Sequence, residues 1–271
     1  MNFREPASPN APAASPLRPT IGLSAIIPVF NEAGTIEEIV HRLEQVPVIR
    51  QIVIADDGSR DGTQAIVRRL AAEGRVVACF HERNSGKGAA LRSGLRLVDQ
   101  EYLVIQDADL EYDPRDFLRM VDLIAQQNAE VIYGSRFLGA SRTGMLWTHY
   151  LGNRGLTVLF NILFRQRLTD METCYKLFRT SLLRQVGIDN DRFDIDPELT
   201  AKVIRAGHSI YEIPVSYVGR PYLAGKKIKP HDALTAVATL WRYRRWRPRV
   251  LEEVHRSGVR SPGSGSGLPL L

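Results

Sequence analysis

The feature that most constrains the fold is a regular alternation of short apolar runs and segments of helical periodicity between residues 23 and 106. The four apolar runs are residues 23–30, 51–55, 75–80 and 102–106, and the three helical segments between them are residues 35–45, 61–73 and 88–98. Continuous apolar runs are typical of strands buried on both faces, as in parallel sheets. The pattern therefore predicts an α/β fold, a mostly parallel sheet sandwiched by helices.

The second half of the chain is less regular. It predicts strands at residues 131–134 and 210–218, and helices at residues 153–164, 197–206 and 232–244. The Pro-rich residues 1–20 and the Gly/Ser-rich residues 256–271 have too few apolar side chains to offset the entropy lost on ordering, so both tails are predicted to be disordered. One domain is expected over residues 21–255, with one half at 21–110 and a second at 111–255.

Composition limits the classes of protein that remain. No apolar run approaches the roughly 20 residues that a spanning helix needs, and residues 1–20 lack the apolar core of a signal peptide. The sequence has 2 cysteines, so neither a disulfide framework nor a cysteine zinc site is expected, and a cytoplasmic location is predicted. The formal net charge of +6 suggests an anionic partner, unless it reflects a general preference for arginine.

Polar clusters follow each strand of the first half, and the sharpest is Asp107-x-Asp109. Two carboxylates leaving one strand can point at the same place as the chain turns, and Glu111 lies two residues further on. Hard oxygen ligands of this kind suit Mg²⁺ or Mn²⁺, with diphosphate oxygens completing the shell. The simpler alternative is an Asp-rich turn, but the position after an apolar strand favours the metal site.

Two other strand ends carry groups suited to a nucleotide. Asp56 and Asp57 exceed what an Asp-Gly turn requires, and a carboxylate there can accept a hydrogen bond from a base or ribose. Lys87 lies between Gly86 and Gly88 at the start of a predicted helix, which resembles a phosphate cradle. The full P-loop pattern is missing, so an ATPase is disfavoured.

The second half holds further charged groups. Arg136 ends a predicted strand, Asp170 begins a polar run that ends at Lys176, and Asp196 and Glu198 stand at the start of a predicted helix. The last two carboxylates have a plain alternative role as helix-capping and dipole-stabilising groups. Arg220, Lys226, Lys227 and Lys229 form a basic loop, for which a solvated surface is an equal alternative.

Taken in order, these segments resemble glycosyltransferase family 2, and most closely its polyprenyl-phosphate branch, the dolichyl-phosphate mannose and glucose synthases. The segments are IPVFNE at 27–32, DDGSRDGT at 56–63, NSGKGAA at 84–90, DADL at 107–110, GSR at 134–136 and DMETCYKLF at 170–178. The resemblance spans about residues 22–245 and implies a GT-A (Rossmann-like) fold that binds a nucleoside-diphosphate sugar. The Gln-x-x-Arg-Trp signature of processive synthases is missing.

The resemblance also assigns roles to residues. It places Pro28, Phe30, Glu32, Asp56, Asp57, Lys87, Asp107 and Ala108 around the nucleotide sugar, and Asp107, Asp109 and Glu111 around the metal, with Asp109 also counted as catalytic. Arg136 matches a residue that contacts acceptor phosphate in the dolichyl-phosphate mannose synthases, and Arg154 and Lys227 are looser matches. Glu111 departs from the Gln that is frequent at its position.

The acceptor decides what chemistry is needed. A polyprenyl phosphate is a strong nucleophile at neutral pH, so positioning and charge neutralisation suffice. A soluble hydroxyl acceptor would require a base, for which Asp196 or Glu198 are the candidates. The alternating aromatic and basic residues 241–247, after an apolar helix face, suggest contact with a membrane surface or a membrane subunit, although a helix packed on the domain remains an alternative.

Three other classes explain less of the sequence. A nucleotidyltransferase needs a Gly-rich basic loop after the first strand, which residues 28–32 lack. A nucleic-acid-binding module leaves the carboxylates at 56, 57, 107 and 109 unexplained, so no nucleic-acid partner is expected. A lectin-like protein would tolerate loss of the Asp107-x-Asp109 pair, which is intact.

Overall fold

The computed structural model describes residues 21–139, 142–143, 147–192, 194–219 and 230–248. The predicted tails, and the basic residues Arg220, Lys226, Lys227 and Lys229, lie outside these described residues. Among the described residues, no helix is long and apolar enough to cross a membrane.

A seven-stranded sheet forms the centre of the fold. Its strands in chain order are β1 (Leu23–Val29), β2 (Ile49–Asp56), β3 (Val77–Phe80), β4 (Tyr102–Ile105), β5 (Val131–Ser135), β7 (Lys176–Arg179) and β8 (Tyr211–Pro214). The spatial order is β3-β2-β1-β4-β7-β5-β8, and only β7 runs antiparallel to its two neighbours. Two short strands, β6 (Arg142–Thr143) and β9 (Tyr217–Val218), pair with each other in a separate sheet.

Helices cover both faces of the main sheet. They are α1 (Ile36–Glu44), α2 (Thr63–Ala72), α3 (Lys87–Leu95), α4 (Phe117–Gln127), α5 (Trp147–Phe164), α6 (Thr180–Val186), α7 (Ile195–Arg205) and α8 (Pro230–Tyr243). Helices α1, α2 and α4 share one apolar core with one face of the sheet, whereas α3, α6 and α7 share a second core with the other face. A third cluster joins α5, α7 and α8.

The buried pattern of β1 explains why its sequence is continuously apolar. Leu23, Ala25 and Ile27 face the first core, and Ile26 faces the second. Because successive side chains of a strand point to opposite faces, a strand covered on both sides needs apolar residues at every position. The predicted α/β fold with a mostly parallel sheet sandwiched by helices is confirmed.

The second half departs from its predicted elements in three places. The predicted strand at 210–218 is two strands, because the chain leaves β5 after Pro214 and pairs again only at Tyr217. Helix α5 begins at Trp147, six residues before the predicted start. Strand β7 and helix α6 were not predicted, since four and seven residues are too short to show a clear period.

Candidate active site

The polar segments after β1, β2 and β4 begin at one edge of the sheet. Val29 pairs with Asp56, and Ile26 pairs with Ile105, so the three parallel strands end close together. Ligands of open α/β sheets bind outside the carboxyl ends of the strands. This edge is therefore the candidate active site.

The segments after β1 and β2 fix each other through hydrogen bonds. The backbone N–H of Asn31 donates to Ser59 Oγ (2.9 Å), and Asn31 Oδ1 accepts from the N–H of Arg60 (2.8 Å). The N–H of Glu32 donates to Thr63 Oγ1 (2.9 Å). The half-buried Phe30 and Glu32, predicted to line the nucleotide, are thus held on a rigid turn.

The two adjacent aspartates have different surroundings. Asp57 accepts hydrogen bonds from the N–H groups of Ser85 (2.9 Å) and Gly86 (2.7 Å), and also contacts His81 Nδ1 (2.8 Å). Asp56 uses Oδ1 to bind its own turn, while its buried Oδ2 has no hydrogen-bond partner in the described segments of the chain. Asp57 therefore positions the turn before α3, and Asp56 has the carboxylate oxygen still available to accept a hydrogen bond.

The glycines beside Lys87 allow the chain to pack against itself. A Cβ on Gly86 would lie 2.2 Å from the carbonyl oxygen of Asp191, and a Cβ on Gly88 would lie 2.1 Å from that of Asn190. The N–H of Ala89 also donates to the Asp191 carbonyl (3.2 Å). The interpretation that these glycines admit a phosphate is thus corrected here: their small size admits residues 190–191.

Lys87 reaches across the site to the predicted metal ligands. Its Nζ donates to Asp107 Oδ1 at 2.7 Å, and the lysine side chain is 11% exposed. Burial alone would lower the pKa of Lys87, but the attraction of Asp107 outweighs it and the pKa is raised. Lys87 therefore carries a full positive charge beside the Asp107-x-Asp109 segment.

The three predicted metal ligands leave β4 on one turn, where Leu110 has a φ of 62°. Asp109 Oδ1 accepts from the N–H of Glu111 (3.2 Å), and Glu111 Oε2 accepts from the hydroxyl of Tyr217 (2.6 Å). Three half-exposed carboxylates are suitable oxygen donors for Mg²⁺ or Mn²⁺. Among the described residues, however, no three acidic, His or Cys side chains lie together as a ready metal cluster.

The predicted acceptor-phosphate residues Arg136 and Arg154 meet at the ring of Phe137. Their guanidinium carbons lie 5.5 Å and 5.7 Å from its centroid. Arg136 is buried and forms two hydrogen bonds with Asp170, of 2.7 Å and 2.8 Å. Burial alone would lower the pKa of Arg136, but Asp170 raises it well above its ordinary value. Arg154 is exposed, and Lys227 lies outside the described residues.

The two candidate bases of the acceptor half are both paired with buried lysines. Asp196 accepts from Lys176 Nζ, and Glu198 accepts from Lys202 Nζ (2.7 Å). Glu198 is fully buried and also accepts from the N–H groups of Asp189 (2.6 Å) and Asn190 (2.8 Å). Its bonds hold the segment that packs on Gly86 and Gly88, which favours a structural role over that of a base.

Several residues of the site were missed from the sequence. Glu212 accepts from the N–H groups of Thr169 and Asp170, and Tyr217 binds Glu111 from the distant strand β9. Glu172 belongs to the polar run that the sequence singled out, but it received no role. Its pKa is raised to about 8, because burial and the neighbouring Asp196 disfavour the charged form.

Comparison with known proteins agrees with this architecture. The family model described as glycosyl transferase family 2 matches residues 24–187. The chain is 28% identical over 226 residues to a polyprenol monophosphomannose synthase of Mycolicibacterium smegmatis, covering 80% of this chain and 84% of the relative. It is 27% identical over 197 residues to the glycosyltransferase AglJ of Haloferax volcanii, covering 72% of this chain and 63% of that protein.

Solved structures share the fold. Glucosyl-3-phosphoglycerate synthase from Mycobacterium tuberculosis, crystallised with Mn²⁺, uridine diphosphate and glucosyl-3-phosphoglycerate, superposes with a TM-score of 0.61 at 19% identity. The match covers 91% of this chain and 83% of the synthase. A further crystal structure of that synthase holds Mg²⁺ and uridine diphosphate.

Proposed function

The chain belongs to glycosyltransferase family 2, and from this premise we propose that it transfers a hexose from a UDP- or GDP-linked donor to a polyprenyl phosphate. The relative named as a polyprenol monophosphomannose synthase supports a lipid-phosphate acceptor. The surface of helix α5 also supports an acceptor of this kind.

The observation that carries the proposal is the position of Arg154 on the exposed apolar face of α5. Trp147, Leu151, Val158 and Ile162 are between 51% and 70% exposed. Their spacing of four, seven and four residues puts them on one face of the helix, and Arg154 occupies the same face between Leu151 and Val158. A cation within an exposed apolar stripe suits a lipid whose phosphate leads into an isoprenoid chain.

Helix α8 has an exposed apolar face of its own. It packs against α5 through the third core cluster, where Phe160 of α5 and Leu240 of α8 are fully buried. The opposite side of α8 exposes Leu234 (75%) and Trp241 (62%). Amphipathic helices with exposed Trp and Leu beside arginines bind at membrane interfaces, so we infer contact with the bilayer surface or a membrane subunit.

The donor is assigned to the strand-end site. Pro28 near the end of β1, with Phe30 and Glu32 on the turn after it, lines the nucleotide. Asp56 and Asp57 serve the base or ribose, and Lys87 and Ala108 lie by the diphosphate. The buried Oδ2 of Asp56, for which the described part of the chain offers no hydrogen-bond partner, supports a hydrogen bond from the nucleoside.

Asp107, Asp109 and Glu111 are the residues that would hold Mg²⁺ or Mn²⁺. Their carboxylate oxygens suit these ions, and solved structures with the same fold were crystallised with Mn²⁺ or Mg²⁺. When bound, a divalent ion supplies positive charge to the diphosphate leaving group. Lys87 adds a second positive charge on the same side, through its contact with Asp107.

The transfer itself needs no base. An oxygen of the acceptor phosphate attacks the anomeric carbon, a new carbon–oxygen bond forms, and the bond to the nucleoside diphosphate breaks, with its electron pair leaving on the diphosphate. The anomeric configuration is inverted. Arg136 and Arg154 bind and orient the acceptor phosphate, so rate is gained by positioning and charge neutralisation.

The test is a transfer assay with radiolabelled UDP- and GDP-hexoses and Mn²⁺, with and without polyprenyl phosphate. Label that enters the organic phase only when the lipid is present supports the proposal and identifies the donor. Consumption of donor with all label in water-soluble product would instead support a soluble hydroxyl acceptor. The pairing of Asp196 and Glu198 with buried lysines favours structural roles for both carboxylates and so argues against that second function.

A further inference from the structure

Glu172 lies between two buried ion pairs in the segment that connects α5 to β7. Arg136 and Asp170 form the pair on one side, and Lys176 and Asp196 form the pair on the other. Charge thus reaches Glu172 from the residue that follows β5, from its own connecting segment, from strand β7 and from helix α7. The charged groups that act on its carboxyl are Asp196, Lys176, Arg136 and Asp170.

The carboxyl of Glu172 belongs to neither of these two ion pairs. Its Oε1 is buried and has no hydrogen-bond partner among the residues that the structure describes. Buried polar atoms in native proteins are nearly always paired, so an unpaired one calls for a functional reason or a ligand. The neighbouring cations donate elsewhere: Lys176 Nζ donates to the carbonyls of Met171 and Thr173 and to Asp196. Arg136 donates to Asp170 through Nε and one of its two terminal nitrogens, which leaves the other for a phosphate.

The charge balance of the cluster depends on whether Glu172 is ionised. Two cations face two carboxylates, so an ionised Glu172 would leave the cluster with one excess negative charge. A neutral Glu172 leaves the cluster balanced and adds an O–H donor. Burial and Asp196 raise its pKa to about 8, more than the attraction of Lys176 and Arg136 lowers it, so the neutral form predominates at neutral pH.

We propose that Glu172, in its neutral form, donates a hydrogen bond to a phosphate oxygen of the acceptor and completes the phosphate site of Arg136 and Arg154. This inference rests on the proposed function, because it requires a phosphate acceptor. An ionised carboxylate beside Arg136 would repel a phosphate, whereas a carboxylic acid is a donor to it. Glu172 is thus a binding residue whose ionisation turns acceptor binding off.

The affinity for the acceptor phosphate should fall as the pH rises. The neutral form binds phosphate, so affinity is full below the pKa of Glu172 and falls as the pH rises through about 8. If only the neutral form binds, the KM for the lipid phosphate rises about tenfold between pH 7 and pH 9. The KM for the nucleotide sugar should stay level, because Glu172 is assigned to the acceptor phosphate and not to the donor.

The experiment measures KM for polyprenyl phosphate from pH 6.5 to 9 in the wild type, Glu172→Gln and Glu172→Ala. A glutamine keeps an N–H donor and cannot ionise, so Glu172→Gln should bind the lipid about as well as the wild type at pH 7 and lose the rise at pH 9. Glu172→Ala should raise the KM about tenfold at pH 7, the loss expected for one hydrogen bond to a charged group. Glu101→Gln changes an exposed carboxylate directly before β4, at the end of the strand away from the site; it is the matched control and should keep the wild-type profile.

The possible results distinguish a failure of the inference about Glu172 from a failure of the proposed function on which it rests. If the wild type transfers to the lipid and Glu172→Gln keeps the rise in KM, Glu172 does not bind phosphate and only the inference fails. If Glu172→Gln lowers kcat at least about 100-fold, Glu172 is a base and the inference is wrong. If the wild type transfers nothing to the lipid, the proposed function fails first and the inference falls with it.

Discussion

Glu198→Gln separates a structural role for this carboxylate from a catalytic one. Glu198 and Lys202 are both fully buried, and Glu198 accepts three hydrogen bonds, from Lys202 and from the N–H groups of Asp189 and Asn190. A glutamine has one acceptor oxygen in place of two, so its NH₂ group must face a donor. Lys202 would keep only Asp189, at 2.8 Å, as an acidic partner.

The size of the effect can be worked from these contacts. Burial raises the pKa of Glu198 in spite of the attraction of Lys202. The negative charge of Glu198 therefore adds little to the stability of the fold. The cost comes instead from a buried lysine that loses a partner and from an N–H group that loses its acceptor. Removing one partner of a buried pair costs about 3–5 kcal/mol. For a chain of this size that corresponds to a fall in Tm of about 6–20 °C.

The assay is thermal unfolding followed by circular dichroism, together with kcat measured well below the Tm of the variant. We expect the Tm to fall and kcat to stay within about tenfold of the wild type, because a folded Glu198→Gln still holds the donor and acceptor groups. Glu38→Gln, which removes an exposed partner of Arg42 on α1, is the control and should shift neither quantity. An unchanged Tm with a loss of kcat above about 100-fold would refute the structural role and restore Glu198 as a base.

Three further perturbations have expected outcomes. Asp109→Ala should abolish transfer with an unchanged Tm, and EDTA should do the same to the wild type; activity that persists in EDTA would exclude a metal-dependent site. Gly88→Ala should lower the Tm, because its Cβ would meet the Asn190 carbonyl at 2.1 Å, a backbone contact that costs about 1–3 kcal/mol to relieve; a wild-type melting curve would contradict this packing. Trp147→Ser with Trp241→Ser should reduce sedimentation with anionic vesicles, and unchanged sedimentation would remove α5 and α8 from the membrane surface.

The first half of the fold could be predicted from the sequence because its signals are local. Strands β1 and β4 are buried along nearly their whole length and are therefore almost continuously apolar, and helices α1 and α2 between the strands each show one apolar face. The antiparallel strand β7 carries no such signal. Its four residues, Lys176–Arg179, follow a polar run and begin with a buried lysine. The Nζ of that lysine donates to the carbonyls of Met171 and Thr173 and to Asp196, 20 residues away.

The candidate site shows the same division. The residue types at the strand ends, such as Asp107 and Asp109, are visible in the sequence, since turn chemistry does not require them. The partners that decide their roles are not visible, because they are distant along the chain: Tyr217 reaches Glu111 across 106 positions and Lys87 reaches Asp107 across 20. Glu198 illustrates the consequence, since a carboxylate at a helix start fits capping, catalysis or a buried ion pair equally well until its neighbours are known.

The exposed face of α5 was missed for a related reason. An apolar stripe on a helix normally indicates the side that packs on the core. In α5, Trp147, Leu151 and Ile162 form a second apolar face that points outward, while Phe160 and Phe164 pack inward. Periodicity alone does not separate the two faces.

The most direct test of the central claim follows the phosphorus atom of the acceptor. A short-chain isoprenyl phosphate, the nucleotide hexose identified by the transfer assay and Mn²⁺ are incubated with the protein and observed by ³¹P NMR. The account predicts that the phosphomonoester signal is replaced by a phosphodiester signal coupled to the anomeric proton of the sugar. A phosphomonoester signal that stays unchanged while the nucleotide sugar is consumed would contradict transfer to a lipid phosphate.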